Sequence, residues 1–369
     1  MNILYTNFHP GSGGGHSTYL KYLFKSISSQ KKELNLFIAV PKSSNLNNEL
    51  RKRFNSHVFD IDFPGKPKNI LQIIKNVRLI AKIIKQNKID IIHTNGTPDH
   101  KLVMICKWLF KFEYKIIRTK HDSSKIKNHW FAKKLYDKYT DHLIVVSDYQ
   151  YNQIINLSLV KKTSIIHNGV DLNYYQPLKK TNKSLTDYQI EKDDIVFVSV
   201  AGTALHKGWP LLIEAISRLN VNQIEKFKVI IAGNRPSERI IEDYVKKYNL
   251  EKKVIFPGFV NDVRGLISIA DFGFVLSTRV ETISFACREM MAMGIPVLVS
   301  DFAGLPENIN HGEDGWVVKN NSVDDIEYFL NLLNSIDQSK FSDLAYQKAK
   351  NEFGMEIFIN KTSDIYFNL

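Results

Sequence analysis

Short apolar runs alternate with longer amphipathic segments along the whole chain, a pattern typical of buried parallel strands joined by crossover helices. In the first half, the apolar runs predict strands at 2–7, 34–40, 89–94, 114–119, 142–147 and 163–167. In the second half, they predict strands at 195–201, 228–233, 253–257, 272–277, 296–300 and 316–318. The helical spacing of apolar residues predicts helices at 14–29, 69–87, 97–111, 129–139, 208–219, 237–248, 262–269, 283–293, 323–334 and 341–352.

The two series of strands are separated by the polar, aperiodic stretch 172–192, which contains Pro177 and reads as a linker. We therefore predict an α/β protein with two Rossmann-like, doubly wound domains that face each other across a cleft. The N-terminal domain is predicted at 1–175 and the C-terminal domain at 190–354, with a helix at about 355–369 packing back on the first. Ligands of such sheets bind beyond the carboxyl ends of the strands, so function is expected in the loops that follow strands.

The composition is that of an ordinary soluble globular protein, with 44% hydrophobic and 24% charged residues. Cys106 and Cys287 lie in apolar runs, which favours reduced core thiols. We find neither a secretory signal at the start of the chain nor a run of about 18 uncharged apolar residues. These features predict a cytoplasmic protein.

The charge is unevenly distributed along the chain. Residues 1–180 contain 30 Lys+Arg and 12 Asp+Glu, whereas residues 181–369 contain 20 and 26, so the net charges are +18 and −6. Nucleic acid, an anionic membrane surface or solubility alone would each account for a basic first half. No RNP, zinc-finger or helix-turn-helix pattern accompanies the basic residues, which argues against nucleic acid.

Three loops have the chemistry to hold a phosphate or a sugar nucleotide. Gly13–Gly15 stand where a strand passes into a helix, although their spacing fits neither a dinucleotide fingerprint nor a P-loop, and a structural turn explains them equally well. Lys207 and Gly208 follow the first strand of the second domain. Glu281 and Glu289 lie eight residues apart, which is about 12 Å of helix rise and matches a nucleotide-sugar head rather than one metal ion.

The segment 280–318 carries this glutamate pair, and it reads VETISFACREMMAMGIPVLVSDFAGLPENINHGEDGWVV. It resembles the C-terminal signature of GT-B fold glycosyltransferases of family 4, which have an E-x7-E pattern followed by G-x-P-V, a glycine, P-E and D-G. The matching residues after the glutamates are Gly294, Pro296, Gly304, Pro306, Glu307, Gly312 and Gly315. The glycine loop, RTKHD at 118–122, IIHNGVDLNYY at 165–175 and the later strands follow in the family's order over nearly the whole chain.

The resemblance implies roles for individual residues. The catalytic residues would be His121, Lys207 and Glu281, with Glu281 on the donor sugar and Glu289 on the ribose hydroxyls. The donor would be bound by Gly14, Gly15, Thr203, Lys207, Arg235, Val260, Ile283, Ser284, Phe285 and Glu289. We assign acceptor binding to His16, Asn95 and Asp99.

The implied reaction is the transfer of a sugar from a nucleotide sugar to a glycan or lipid-linked acceptor, with retention at the anomeric carbon. Lys207 and backbone amides would stabilise the departing nucleoside diphosphate. No Asp-x-Asp motif lies on a suitable loop, so we expect no metal site and no cofactor. Such enzymes build lipopolysaccharide, capsule or glycoprotein glycans in bacteria.

The chain departs from the family pattern at two places. Thr203 stands where relatives usually have an arginine, which leaves Lys207 with only His206, Arg235 or Arg279 as partners on the diphosphate. Residues 282–284 replace the usual G-F-G with Thr-Ile-Ser. A weakened family member therefore remains one alternative, a sugar-nucleotide epimerase of the same fold is another, and a nucleic-acid-binding protein is the alternative from a different class.

The helical segment 69–88 suggests a further partner. It places Lys75, Arg78, Lys82 and Lys85 on one face and Ile70, Ile73, Ile74, Val77, Ala81 and Ile84 on another. An ordinary helix with solvated lysines and a peripheral face toward anionic lipid both fit this pattern.

Overall fold

The computed structural model describes residues 1–10, 15–64, 70–126, 130, 134–154, 162–180 and 182–369, with only the backbone described at 182–184. The chain divides into two compact units. The first unit comprises Met1–Gly169 and Glu356–Leu369, and the second comprises Val170–Met355. The division lies ahead of the predicted linker 172–192, and residues 182–187 within that stretch form a short helix rather than an aperiodic link.

Thirteen strands are described. The first unit contains β1 (Asn2–Thr6), β2 (Asn35–Val40), β3 (Val58–Asp60), β4 (Ile91–Thr94), β5 (Lys115–Lys120), β6 (His142–Val145) and β7 (Thr163–Ile165). The second contains β8 (Ile195–Ser199), β9 (Phe227–Ile231), β10 (Val254–Ile255), β11 (Phe272–Val275), β12 (Val297–Ser300) and β13 (Gly315–Val318). Their orders are β3-β2-β1-β4-β5-β6-β7 and β10-β9-β8-β11-β12-β13, and the pairs described are parallel.

The helices in chain order are α1 (Gly15–Gln30), α2 (Asn45–Phe54), α3 (Ile70–Asn87), α4 (Thr97–Phe110), α5 (Asp148–Ile154), α6 (Asn182–Asp187), α7 (Trp209–Ser217), α8 (Val221–Ile224), α9 (Glu238–Tyr244), α10 (Arg264–Ile267), α11 (Phe285–Ala292), α12 (Val323–Leu332), α13 (Gln338–Glu352) and α14 (Met355–Phe367). Among the described residues, no helix is long and apolar enough to cross a membrane. The prediction of two doubly wound α/β units is confirmed.

Three elements of the first unit were not predicted, namely β3, α2 and the helix α5. The strand β3 has only three residues and lies at the edge of its sheet. The helix α2 is mostly polar, and only Leu46, Asn47 and Leu50 are buried on it. Within the predicted helix at 129–139, residues 129 and 131–133 lie outside the described residues, and Lys134–Lys138 form a π-helical turn.

The C-terminal helix α14 belongs, apart from its first residue, to the first unit. The hydroxyl of Tyr366 on this helix is 3.0 Å from the hydroxyl of Tyr5 on β1 and 2.7 Å from Nδ1 of His93 on β4. Tyr5, His93 and Tyr366 are almost completely buried. The last helix is therefore anchored by polar contacts beneath the centre of the N-terminal sheet.

Candidate active site

The loop after β8 presents a lysine next to a constrained glycine. Lys207 ends a 3-10 turn at Leu205–Lys207, and Gly208 follows with φ of +76°. A Cβ at Gly208 would lie 1.8 Å from the carbonyl oxygen of Leu276, so no other residue fits this position. The chain then enters α7, which has a proline in its first turn. This packing holds Lys207 at the carboxyl end of the second sheet, where the sequence predicts it.

Lys207 is paired with the first glutamate of the motif. Its Nζ is 2.9 Å from Oε2 of Glu281, and the two side chains are 21% and 12% exposed. The same oxygen accepts a hydrogen bond from Oγ of Ser277 at 3.3 Å, and the backbone N–H of Thr282 donates to Oε1 at 3.2 Å. Burial and the neighbouring Lys207 lower the pKa of His206 in the same loop, while Glu281 opposes that shift. The structure thus places a half-buried ion pair between the loops that follow β8 and β11.

The loop that follows Glu281 ends in an unusual backbone conformation. Ser284 is the N-cap of α11, with φ of 49° and ψ of 106°. Its Oγ accepts a hydrogen bond from the backbone N–H of Cys287 at 3.3 Å. A positive φ is a backbone conformation that glycine adopts far more readily than serine. The predicted phosphate-binding residues Ile283, Ser284 and Phe285 therefore form the turn into the helix and its first residue.

A buried cation supports this turn from beneath. Arg288 on α11 is fully buried, and its Nε donates to Oδ1 of Asn308 at 2.7 Å. The Asn308 amide donates in turn to the carbonyl oxygens of Ile283 at 3.0 Å and Leu305 at 2.9 Å. The Arg288 guanidinium also lies 4.2 Å from the ring centroid of Phe353. Sequence reasoning did not find Arg288 or Asn308, because a lone arginine in an apolar helix gives no signal of its partner.

Glu289 lies one helical turn beyond the cap. It is half-buried, and burial raises its pKa to about 7, while the hydrogen bond with Tyr175 opposes the shift. A carboxylate with this pKa is partly protonated at neutral pH and gains from a hydrogen-bond donor. The Glu289 carboxylate is therefore suited to accept a hydrogen bond from a ligand hydroxyl.

Three other residues predicted to bind the donor substrate, Thr203, Arg235 and Val260, lie in different environments. The Thr203 hydroxyl donates to the carbonyl oxygen of Asn234, and the Thr203 carbonyl accepts from Nε1 of Trp209 at 2.8 Å. Thr203 therefore links two loops of the second unit. Arg235 is exposed and lines a depression with Glu238 and Lys246, whereas Val260 is half-buried against the core.

In the first unit, the predicted catalytic residue His121 forms a hydrogen bond with Asn95. Nε2 of His121, which follows β5, lies 2.9 Å from Oδ1 of Asn95, which follows β4. The His121 ring centroid is 4.5 Å from that of His16 and 4.5 Å from that of Tyr19. Burial lowers the pKa of His16 to about 4, and burial and the His16 ring also hold the pKa of His121 well below its usual value. Both imidazoles are neutral at pH 7.

The structure corrects two of the predicted acceptor residues. Asn95 and Asp99 are completely buried, so neither side chain is accessible to an acceptor. Asp99 Oδ2 accepts from Oγ1 of Thr6 at 2.7 Å and from the backbone N–H of Asn95 at 2.9 Å. His16 is partly buried at the start of α1 and retains the predicted location. Gly15 is the first residue of α1, while Gly13 and Gly14 lie outside the described residues.

Two family models match consecutive parts of the chain. Residues 13–174 match the model described as Glycosyltransferase Family 4, and residues 181–349 match the model described as Glycosyl transferases group 1. Together they span nearly all of the sequence, and they divide it close to the boundary between the two units. The chain belongs to the family 4 glycosyltransferases, and its two parallel α/β units are those of the GT-B fold.

The curated relatives are distant in sequence but match over most of their length. The UDP-Gal:alpha-D-GlcNAc-diphosphoundecaprenol alpha-1,3-galactosyltransferase of Escherichia coli is 24% identical over 82% of this chain and 81% of its own. The O-antigen biosynthesis glycosyltransferase WclY of Escherichia coli is 27% identical over 69% of this chain and 74% of its own.

Solved structures share the fold over the full length. A glycosyltransferase from Rickettsia africae ESF-5 superposes with a TM-score of 0.84 at 22% identity, covering 99% of this chain and 97% of its own. Anabaena Alr3699/HepE in complex with UDP superposes with a TM-score of 0.81 at 18% identity, covering 100% of both chains. The fold prediction is therefore confirmed by structure as well as by sequence.

Proposed function

We propose that this chain transfers a sugar, with retention at the anomeric carbon, from a nucleotide diphosphate sugar to a lipid-linked glycan acceptor in bacterial surface polysaccharide synthesis. The observation that carries the proposal is the half-buried pair of Lys207 and Glu281 beside the N-terminus of α11. Lys207 is a cation suited to bind a diphosphate, and Glu281 is a carboxylate suited to bind sugar hydroxyls. The two side chains lie within hydrogen-bond distance of each other.

The pair suggests how donor binding prepares the reaction. A diphosphate at the α11 N-terminus would compete with Glu281 for the Lys207 ammonium, which releases the carboxylate to the hydroxyls of the donor sugar. As the bond between sugar and phosphate breaks, negative charge grows on the leaving nucleoside diphosphate, and Lys207 meets it in a poorly solvated position. Glu289 would hold the ribose hydroxyls on the next turn of the helix.

The donor and acceptor classes are supported by the relatives. One E. coli relative is named for UDP-Gal and a GlcNAc-diphosphoundecaprenol acceptor, and HepE crystallised with UDP and with UDP-glucose. For this chain we infer a uridine or related nucleotide sugar and an acceptor presented on a lipid carrier. His121 in the first unit is proposed to contact a sugar substrate through its imidazole.

A lipid-linked acceptor makes a membrane-facing surface useful, and α3 offers one. Lys75, Arg78, Lys82 and Lys85 are exposed on this helix, and none of them forms an ion pair with another described residue. Ile70 and Leu71 at its N-terminus are 66% and 84% exposed. We propose that this face makes peripheral contact with anionic lipid, through charge attraction and partial insertion of the two apolar side chains.

The proposed activity is tested with the purified full chain. Thermal stabilisation by UDP-glucose, UDP-galactose and GDP-mannose identifies the donor class, because a ligand that binds the folded state raises its apparent stability. Transfer is then measured with undecaprenyl-diphosphate-linked GlcNAc, and the anomeric configuration of the product is read by NMR. An inverted product would overturn retention. Conversion of the nucleotide sugar without any acceptor would indicate an epimerase.

A further inference from the structure

The amide of Asn95 has only one possible orientation. Its Nδ2 donates to the carbonyl oxygen of Thr6 at 3.1 Å and to that of His93 at 3.3 Å. Carbonyl oxygens cannot donate, so a flipped amide would face two acceptors with its own oxygen. The Asn95 oxygen must therefore be the atom that lies 2.9 Å from Nε2 of His121.

This orientation determines where His121 carries its proton. An amide oxygen accepts hydrogen bonds and does not donate them, so Nε2 of His121 is the protonated nitrogen. The imidazole is neutral, because burial lowers its pKa and the nearby His16, Arg118, His93 and Lys120 lower it further. In a neutral imidazole with a proton on Nε2, Nδ1 is the nitrogen that accepts a hydrogen bond.

The backbone of Asn95 is held from the other side by Asp99. Oδ2 of Asp99 accepts from the Asn95 N–H and from the Thr6 hydroxyl, so one carboxylate joins the ends of β1 and β4. Gly96 packs tightly against this carboxylate, since a Cβ there would lie 1.9 Å from Cδ1 of Phe8 and 2.4 Å from Oδ1 of Asp99. The asparagine cannot move without breaking these contacts.

Arg118 on β5 is a buried positive charge that acts electrostatically on Asp99. It is 1% exposed, and its Nε and Nη1 have no hydrogen-bond partner in the part of the chain that the structure describes. An incompletely bonded buried cation is costly unless an opposite charge compensates it. Burial raises the pKa of Asp99 overall, and the Arg118 guanidinium is the largest influence that opposes this shift, so Arg118 favours the ionised form of the carboxylate that holds Asn95.

We propose that Asn95, held in place by Asp99 and Arg118, is a positioning residue that fixes His121 in the tautomer with Nε2 protonated, so that Nδ1 accepts a hydrogen bond from a hydroxyl of the sugar substrate. The role of the substrate in this statement rests on the proposed function. The tautomer does not, since it follows from bonds within the first unit.

The tautomer is measured directly in the wild-type protein. Selective ¹⁵N labelling of histidine, with the His121→Gln variant to assign the resonance, distinguishes protonated from unprotonated ring nitrogens. We expect His121 to show a protonated Nε2 and an unprotonated Nδ1 throughout about pH 6 to 8. A proton on Nδ1, or a ring that becomes charged in this range, overturns the proposal.

Two asparagine variants separate positioning from general support. Asn95→Ala removes the acceptor for Nε2–H, so His121 should become a mixture of tautomers and kcat/KM should fall on the order of tenfold. Asn47→Ala is the matched control: Asn47 is also buried in the first unit, where its amide donates to Asp60 at 2.7 Å and accepts from Nε of Arg51 at 2.8 Å. It should leave the His121 resonances unchanged.

The results of these experiments distinguish the positioning role of Asn95 from the proposed sugar-transfer function. An unchanged tautomer in Asn95→Ala overturns the positioning role, even if activity falls. If Asn95→Ala does not fold, the wild-type spectrum alone still decides the tautomer. The expected spectrum in a protein that transfers no sugar from any nucleotide sugar would leave the positioning intact and overturn the proposed function.

Discussion

Ser284 combines a useful hydrogen bond with an unfavourable backbone. Its φ of 49° with ψ of 106° is a conformation that non-glycine residues rarely adopt, and such strain costs about 1–3 kcal/mol. Its side chain offsets part of this cost by capping α11. The Arg288–Asn308 contacts to the Ile283 carbonyl hold the turn in this shape.

We predict that Ser284→Gly is more stable than Ser284→Ala. Glycine removes the strain and costs only a few tenths of a kcal/mol as a cap, whereas alanine keeps the strain and loses about 1 kcal/mol of capping. Urea denaturation of both variants and the wild type measures the difference. If alanine is as stable as glycine, the positive φ at this position is not a source of strain.

Glu289 should make donor binding depend on pH. Its pKa is raised to about 7, so the carboxylate that we propose accepts from ribose hydroxyls becomes fully ionised only above neutrality. We expect UDP-glucose affinity to rise as the pH increases through about 7, and Glu289→Gln to lose that dependence. UDP-glucose is the suitable probe, because its diphosphate diester does not titrate in this range.

The same shift has a consequence for stability. The folded-state pKa of Glu289 is raised from 4.5, so the folded state binds the proton more tightly than the unfolded state. Glu289 therefore makes the fold progressively less stable as the pH rises from 4.5 to about 7. Calorimetric binding and urea denaturation at several pH values test both effects. Identical pH profiles for wild type and Glu289→Gln would contradict this account.

Lys207 and Glu281 should affect turnover far more than stability. They bond each other in a half-buried position, and each is proposed to contact the donor. Losing one electrostatic contact to a developing anion lowers kcat by about 10²–10³, so we expect a loss of this size in Lys207→Ala. Initial rates at saturating donor measure it. Near wild-type turnover would assign the phosphate contact to another cation, with Arg235 and Arg279 the next candidates.

At the scale of elements, α3 has nearly the predicted bounds, but only the C-terminal part of its predicted apolar face is buried. The sequence places Ile70 and Ile74 on the apolar side, yet they are 66% and 43% exposed. The buried residues of the helix begin only at Asn76, so its first turns lie beyond the core. An exposed apolar end next to a basic face is the arrangement of a helix that meets a membrane surface.

We predict that the protein co-sediments with vesicles containing phosphatidylglycerol and not with phosphatidylcholine vesicles. Each lysine or arginine near anionic lipid contributes about 1 kcal/mol, an attraction that high salt screens. Changing Lys75, Arg78, Lys82 and Lys85 together to glutamate should abolish sedimentation and leave UDP-glucose binding intact.

The matched control reverses four exposed lysines of the second unit, Lys192, Lys247, Lys252 and Lys319. It changes the net charge by the same amount and should still sediment. Loss of sedimentation in both variants would mean that overall charge, rather than the α3 face, is responsible.

At the scale of the whole molecule, we predict transfer without a divalent metal. The proposed site meets the leaving diphosphate with Lys207 and the N-terminus of α11, which supply the positive charge that a metal ion would otherwise provide. Turnover should therefore be the same in EDTA and in Mg²⁺. A loss in EDTA that Mg²⁺ or Mn²⁺ restores would require a metal in the mechanism.

The sequence by itself determined the class of fold and the family. Buried parallel strands need continuous apolar runs, so β1, β2, β5, β9 and β12 were predicted almost to the residue. The motif from Glu281 to Gly315 identified the family, because its glutamates, glycines and prolines stand at the family's spacing. Elements with few buried residues, such as α2 and β3, carry too weak a pattern to be predicted.

Only the tertiary structure decided which residues act on one another. Lys207 and Glu281 are separated by 74 residues, and the bond between them depends on β8 and β11 lying side by side. The burial of Asn95 and Asp99, the orientation of the Asn95 amide and the buried charge of Arg118 follow in the same way from the adjacency of β1, β4 and β5. The hydrophobic pattern of a sequence indicates which residues are buried. The partner of a polar side chain depends instead on how distant segments pack together, and a single sequence carries no direct information about that packing.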